Sequence, residues 1–362
     1  MPVVTDFVFN GQGSGSVAER LLASNFDPNT LRPWTGKDGR TYIAVNTGQK
    51  DSKTGQPIYR AMAVNAPSTL RKNEWIYLDE AVLQVQRTEL RAWQDVVNAG
   101  LTFNVPGGMG KTVIQHQTTT DAGNAMLSMD GLNQAQRDRP VFDLVNLPLP
   151  ITHGDFSFSA REIQVSRQNG TGLDLTMVED TTRRVLEINE GLLAGTLATY
   201  SYGGGTIYGY RNHPNRVTFT PTLPTAAGWD GNTLVTELLA VLQTLSNNLF
   251  RGPVVAYFSR GWDQYLDRDY TAAYNTGTIR NRVKQIERIQ DIRMLDILPD
   301  FEIILVTMVR NTVEAVQAMP LQTLQWESHG GMQLNFKVMC IRVPRIRANA
   351  NGNTGVAHGV AA

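Results

Sequence analysis

The segment Gly107-Gly108-Met109-Gly110-Lys111-Thr112 has the residue types of a phosphate-binding loop. Such a loop wraps phosphate oxygens in backbone N–H groups, and it needs a glycine five residues before the glycine of its Gly-Lys pair. That position is Val105, and no helical pattern follows Thr112. Nucleotide binding is therefore not expected, and the glycines read as the base of a flexible loop. Gly203-Gly204-Gly205 lacks the glycine spacing of a dinucleotide site and reads as a tight turn beneath a long helix. The five histidines, His116, His153, His213, His329 and His358, stand at no metal-ligand spacing and in no serine-centred nucleophile motif. Arg211 to Asn215 reads as a turn, and His329 precedes Gly330-Gly331 at a hairpin tip. A single cysteine, Cys340, excludes an internal disulfide framework and a cysteine-rich zinc site, and it suits a reducing compartment. Arg280, Lys284 and Arg288 fall four apart on a predicted helix, Thr278 to Gln290, flanked by Glu287 and Asp291. A solvated or subunit-facing helix surface is the expected role, ahead of contact with a genome. No catalytic, cofactor-binding or metal-binding residue is assigned, and an enzyme is not expected. An α/β enzyme centred on Leu234 to Val309 would need a cluster of acid, base or nucleophile that the sequence lacks.

The elements that would position any such groups have an uneven plan. The 362 residues are 41% hydrophobic and 18% charged, enough for one or two domains with a sizeable core. Thirty-three basic side chains balance 33 acidic ones, which argues against a strong grip on nucleic acid along the whole chain. Met1 to Gly11 lacks a basic start followed by an apolar run, so no signal peptide is expected, and no stretch approaches a membrane span. Up to about Asn73 the chain is rich in Gly, Asn, Thr, Asp and Pro and reads as an extended arm with strands at Thr41 to Val45 and Ile58 to Val64. A helix is predicted over Leu78 to Ala99. Pro106 to Pro150 then forms a stretch of about 45 residues without helix signal, flanked by strand patterns at Thr112 to Gln117 and Val141 to Leu147. A long two-stranded hairpin reaching away from the body is the simplest reading.

Ser159-Ala160-Arg161-Glu162 is a capping box that opens a short helix, broken at Gln168 to Gly172. A second long helix spans Leu175 to Leu193, with Gly195 past its end. An α/β rhythm follows: a helix from Leu234 to Leu249, a strand at Val254 to Phe258, a helix at Trp262 to Tyr270, then strands at Met294 to Leu298 and Ile303 to Val309. Gln322 to Trp326 turns into the period-two strand Met332 to Cys340, and the tail from Asn349 is expected to fray.

This order resembles the capsid fold shared by tailed-phage major capsid proteins of the Hong Kong 97 type and by encapsulins (linocin-like). The stretch Leu149 to Ile163, with Pro150-Ile151-Thr152-His153-Gly154-Asp155 leading into the capping box, is similar to the encapsulin-type exit from an extended loop. Asp180-Thr181-Thr182-Arg183-Arg184-Val185 is similar to the family's spine helix, Gly203 to Tyr210 to the glycine turn after it, and Gly252 to Phe258 to a strand of the inserted domain. The resemblance covers Leu78 to Val343 and rests on order and pattern more than on one invariant motif.

The resemblance implies an α+β fold divided into an extended N-terminal arm (1–74), a peripheral domain beginning at 75–105, an extended loop (106–150), a second peripheral part (151–226) with the spine helix at 174–194, an axial domain (227–319), a terminal peripheral hairpin (320–348) and a flexible tail (349–362). It implies a structural protein that self-assembles as pentamers and hexamers into an icosahedral shell around double-stranded DNA, located in the virion and assembled in the cytoplasm of a bacterial host. The implied partners are other copies of the chain, portal, scaffolding or decoration proteins, and packaged DNA through non-specific contact, with no membrane and no cofactor. The alternative is an encapsulin-type nanocompartment around a cargo enzyme; encapsulin arms are much shorter than this one, which favours the phage shell. Some related capsids join a loop lysine to a neighbour's asparagine with a glutamate assisting. Lys111, Asn335 and Glu327 would be the candidates, but encapsulin-like members generally lack the bond and none is expected here.

Overall fold

The computed structural model describes residues 7–9, 12–14, 33–51, 57–64, 70–89, 91–119, 129, 142–169, 174–270, 277–349 and 351–361. Two compact units emerge. The first comprises Met1–Thr112, Leu149–Glu190 and Ala315–Val343; the second comprises Val113–Pro148, Gly191–Glu314 and Pro344–Ala362.

In chain order the strands and helices begin with β1 (Phe7–Phe9), β2 (Gln12–Ser14), β3 (Trp34–Thr35), β4 (Thr41–Lys50) and β5 (Pro57–Val64). Next come α1 (Lys72–Glu89), α2 (Arg91–Asn98), β6 (Thr102–Asn104), β7 (Val113–Thr119), β8 (Phe142–Pro148), β9 (Thr152–Ser159), α3 (Ala160–Asn169) and α4 (Thr176–Ala194). The chain continues through β10 (Tyr200–Tyr202), β11 (Gly205–Ile207), β12 (Val217–Phe219), α5 (Gly231–Asn247), β13 (Val254–Phe258), α6 (Asp263–Leu266) and α7 (Ile279–Lys284). It ends with β14 (Ile289–Met294), β15 (Glu302–Thr307), β16 (Val313–Ser328), β17 (Gln333–Ile346) and β18 (Val356–Val360).

The first unit is built on a six-stranded sheet in the order β2-β1-β16-β17-β9, with β6 also on β16. The period-two strand Met332 to Cys340 was readable because alternate side chains point to one face. Phe336 pairs in register with Phe156 and stacks on it at 5.1 Å, while Phe158 and Trp75 meet its edge at 5.8 Å. Each such buried apolar side chain contributes roughly 1.5–3 kcal/mol. Helix α1 offers Trp75, Leu78 and Val82 from one face. The capping box closes as expected: Glu162 N–H donates to Ser159 Oγ (3.1 Å), and Ser159 N–H donates to the Glu162 carboxylate (2.8 Å). Instead of one helix over Leu78 to Ala99 there are two, α1 and α2. The second starts afresh because Glu190, at the buried end of α4's first-unit portion, accepts the N–H groups of Ala92 (2.6 Å) and Trp93 (3.2 Å). Burial pushes the Glu190 carboxyl up to about 7 in spite of these donors.

The second unit holds a mixed five-stranded sheet in the order β12-β18-β15-β13-β14. Helix α5, capped by Asp230 accepting from Thr233 N–H at 2.8 Å, lays Leu234, Leu238, Val241, Leu242 and Leu245 into the core shared with β13 and β15. Several expectations fail here. The helix predicted over Thr278 to Gln290 ends at Lys284, and the strand is Ile289–Met294, not Met294 to Leu298. Helix over Trp262 to Tyr270 shrinks to Asp263–Leu266. The tail from 349 is not frayed: β18 pairs with both β12 and β15, and its Val356 and Ala357 are fully buried. The short apolar run Gly355 to Val360 had too few periods to announce a strand, and its glycines read as flexibility.

Candidate assembly interface

The extended loop starts as a hairpin in the second unit. Strands β7 and β8 pair antiparallel without a break from Val113↔Pro148 to Thr119↔Phe142. The loop's connecting residues 120–141 lie outside the described ones except Met129, so the expected reach of its tip does too. Leu144 and Val145 are exposed on β8, at 56% and 40%. At the root, Gln115 Nε2 donates to Asn146 Oδ1 (3.1 Å), and Asn146 Nδ2 donates to the Gly203 carbonyl (2.9 Å). A Cβ on Gly205 would lie 2.2 Å from the Asn146 carbonyl oxygen, so only glycine lets β11 lie against β8. The glycine turn therefore serves the hairpin, and the expectation that it sits beneath the spine helix is corrected. The glycine under the end of α4 is Gly209, whose Cβ would meet the Leu192 carbonyl at 2.3 Å.

A second ribbon belongs to the first unit. Strands β4 and β5 pair from Thr41↔Val64 to Lys50↔Pro57. Ile58 and Met62 are exposed on β5. Trp34 stacks on Tyr42 at 6.2 Å, and Trp75 Nε1 donates to the Pro33 carbonyl at 2.9 Å, which tethers the ribbon's base. The two-residue β3 pairs only with the first two residues of β4, so most of the ribbon's length is two strands wide, and apolar side chains on it gain by cover.

The residues singled out for chemistry are dispersed. Gly108 is buried because a Cβ there would lie 2.3 Å from the Ala318 carbonyl oxygen. Lys111 is exposed, whereas a lysine nucleophile needs a dry setting. Asn335 is occupied as a donor to Ser328 Oγ (2.8 Å), and burial raises the Glu327 carboxyl. The basic stripe is dismantled: Arg280 pairs with Asp263 (2.7 Å) and Asp267 (2.8 Å). Arg288, beyond the end of α7, donates to the Leu242 and Phe250 carbonyls (both 2.7 Å), closing the end of α5. His153 and His329 are exposed; the other three lie partly or fully buried in the second unit. Among the described residues, no three His, Cys, Asp or Glu side chains gather as metal ligands, and no helix is long and apolar enough to cross a membrane.

Sequence reasoning missed two buried charge clusters. Glu302 accepts from Arg211 Nε (2.8 Å) and Nη2 (2.9 Å), and His358 Nε2 lies 3.1 Å away. Glu314 gathers Arg345, Arg347 (2.8 Å) and Arg310 (3.8 Å). Nothing in the local sequence marks these pairs, which lie up to 91 positions apart. His213 is buried, accepts from Asn215 N–H at 3.2 Å and is pushed down to about 4 by burial and then by Arg216. A histidine held neutral in the fold stabilises it fully above its unfolded value of 6.5, and this contribution is lost as pH falls from 6.5 towards 4. The loss amounts to about 3 kcal/mol. A melting-temperature profile should therefore fall over that window, and less steeply in His213→Asn, which keeps an acceptor but cannot titrate.

The sequence matches over residues 65–359 a family described as "Family of unknown function (DUF6260)". The chain belongs to this family. No curated protein matches it. Among solved structures, the DUF6260 chain is similar to the virus-like particle from Pyrococcus furiosus, at 14% identity and a TM-score of 0.53 over 78% of this chain and 97% of that one. It is similar to the capsid of Myoviridae Phage XM1 at 11% identity and a TM-score of 0.57, over 74% of this chain and 91% of that one. A chain of Mycobacterium phage Bobi gives 12% identity and a TM-score of 0.53, over 74% and 90%. The fold of this DUF6260 member is therefore the α+β capsid fold of tailed phages.

Proposed function

We propose that this chain is a shell subunit, a major capsid protein that assembles as pentamers and hexamers into an icosahedral shell around double-stranded DNA. The observation that carries the reading is a pair of narrow ribbons, β4–β5 with the two-residue β3 on its edge and the two-stranded β7–β8, that leave Ile58, Met62, Leu144 and Val145 exposed on a capsid-type fold. A closed shell needs one chain to make several unlike contacts with its copies. Ribbons that bury their apolar sides on a neighbour supply such contacts, and many weak ones add up through multivalency. Portal, scaffolding and decoration proteins would be further partners, and DNA contact would be non-specific. The balanced charge suits a wall that encloses nucleic acid without gripping it.

A nanocompartment around a cargo enzyme is the second reading, favoured by the 97% coverage of the Pyrococcus furiosus particle chain. Electron microscopy of the chain expressed alone tests what both share: closed particles are expected, and only monomers or small oligomers under all assembly conditions would overturn it. Extracting nucleic acid and protein from particles purified from the native source separates the two contents.

A further inference from the structure

Two clefts of the second unit, about 580 and 420 Å³, share His116, Arg347 and Ala348 in their walls. Arg251 completes the basic lining of the larger and Arg345 that of the smaller. Among the described residues, no aspartate or glutamate lines either one. Behind the wall sits Glu314, 3% exposed, the one carboxylate shared by Arg345, Arg347 and Arg310. One negative charge against three guanidinium groups leaves two positive charges uncompensated. Arg251 adds to this field and presses on the charge of Arg288 nearby. Two polar atoms in the shared wall, His116 Nδ1 and Arg347 Nε, are buried without a hydrogen-bond partner. Leaving such atoms unmatched is costly, and excess cationic charge in a partly dry cleft is costly as well. A ligand that brings two negative charges and several acceptor oxygens would answer both. A metal ion would answer neither.

We propose that this double cleft binds a phosphate group, anchored by Arg347 and Arg251 with His116 beside it. Arg347 lines both clefts with its side chain one-third exposed and its Nε unmatched, and a guanidinium is the planar fork that phosphate oxygens accept from. His116 is held neutral by burial, then by Arg345 and Arg347, against the pull of Glu314. A bound anion reverses that field, so binding takes up a proton and tightens on acidification. The phosphate belongs either to a free polyphosphate or to a nucleic-acid backbone. The site does not depend on the shell reading.

The test is calorimetric titration of the full chain with inorganic pyrophosphate at low salt. Saturable binding is expected, tighter at about pH 6 than at about pH 7. Arg347→Gln and Arg251→Gln should each weaken it about tenfold, the effect of one charge-assisted hydrogen bond. Arg161→Gln, an exposed arginine of the first unit, should leave it unchanged. Should Arg347→Gln fail to fold, Arg251→Gln decides, because Arg251 is exposed and its loss spares the Glu314 cluster. Absence of saturable binding up to about 10 mM, or equal weakening by Arg161→Gln, overturns the assignment. If pyrophosphate does not bind while Arg251→Gln blocks assembly, the cleft takes an acidic segment of a second copy and the phosphate assignment falls. Competition by a short single-stranded oligonucleotide assigns the phosphate to a nucleic-acid backbone; binding without competition assigns it to a free polyphosphate.

Discussion

Replacing Val113–Pro148 with a two-residue Asn-Gly turn should yield a soluble, folded subunit that forms no particles. The excision is clean in this fold. Leu149 N–H donates to the Thr112 carbonyl at 2.8 Å, so the two ends already stand side by side and a tight turn can join them. The second unit's hydrophobic core, from Val217 to Ala361, contains no hairpin residue. What the subunit loses is local: the β7–β8 ribbon itself with the buried Leu147 side chain, the Asn146 bond to Gly203 and the backing of β11. That costs a few hydrogen bonds, about 1 kcal/mol each, and one buried apolar side chain, roughly 1.5–3 kcal/mol, and leaves the six-stranded and five-stranded sheets intact. Assembly loses much more, because the exposed Leu144 and Val145 go with the ribbon. Circular dichroism and a melting curve check that the subunit folds; sedimentation and microscopy check assembly. Full-sized particles from a folded, excised chain would show that the hairpin is dispensable for shell building.

What could be read beforehand follows the range of the physics involved. The capping box, the strand patterns of the loop's two flanks, the long helix α4 and strand β13 are set by residues within a few positions of each other, and all stand where periodicity and spacing put them. The failures are positions where distant segments decide. Gly359 looked like tail flexibility, yet a Cβ there would meet the Phe219 ring at 2.5 Å, so glycine marks a close approach across 140 positions. Arg288 extended a plausible basic stripe, but the carbonyls at the end of α5 claim it. The double cleft was invisible for the same reason: His116, Arg251 and Arg347 come from three separate stretches, and only the fold sets them around one space.

Glu302→Leu should lower the second unit's stability by about 3 kcal/mol, at the low end of the cost of breaking a buried ion pair. Glu302 is 2% exposed and holds the guanidinium of Arg211 in a fork while facing His358 on β18. Leucine fills the space but leaves two donors facing apolar surface. Arg211 is 36% exposed and can turn towards water, which keeps the loss at the low end; His358 is 5% exposed and cannot. For a unit of this size the loss corresponds to a fall of about 10 °C in melting temperature. Glu302→Gln should lose less, since an amide oxygen still accepts from Arg211. The double variant Arg211→Leu with Glu302→Leu decides between charge and packing. Removing both partners takes away the uncompensated cation, so the double variant should be more stable than Glu302→Leu alone. If instead the two losses simply add, the cluster acts by shape and the electrostatic account of how β15 holds the C-terminal strand is wrong.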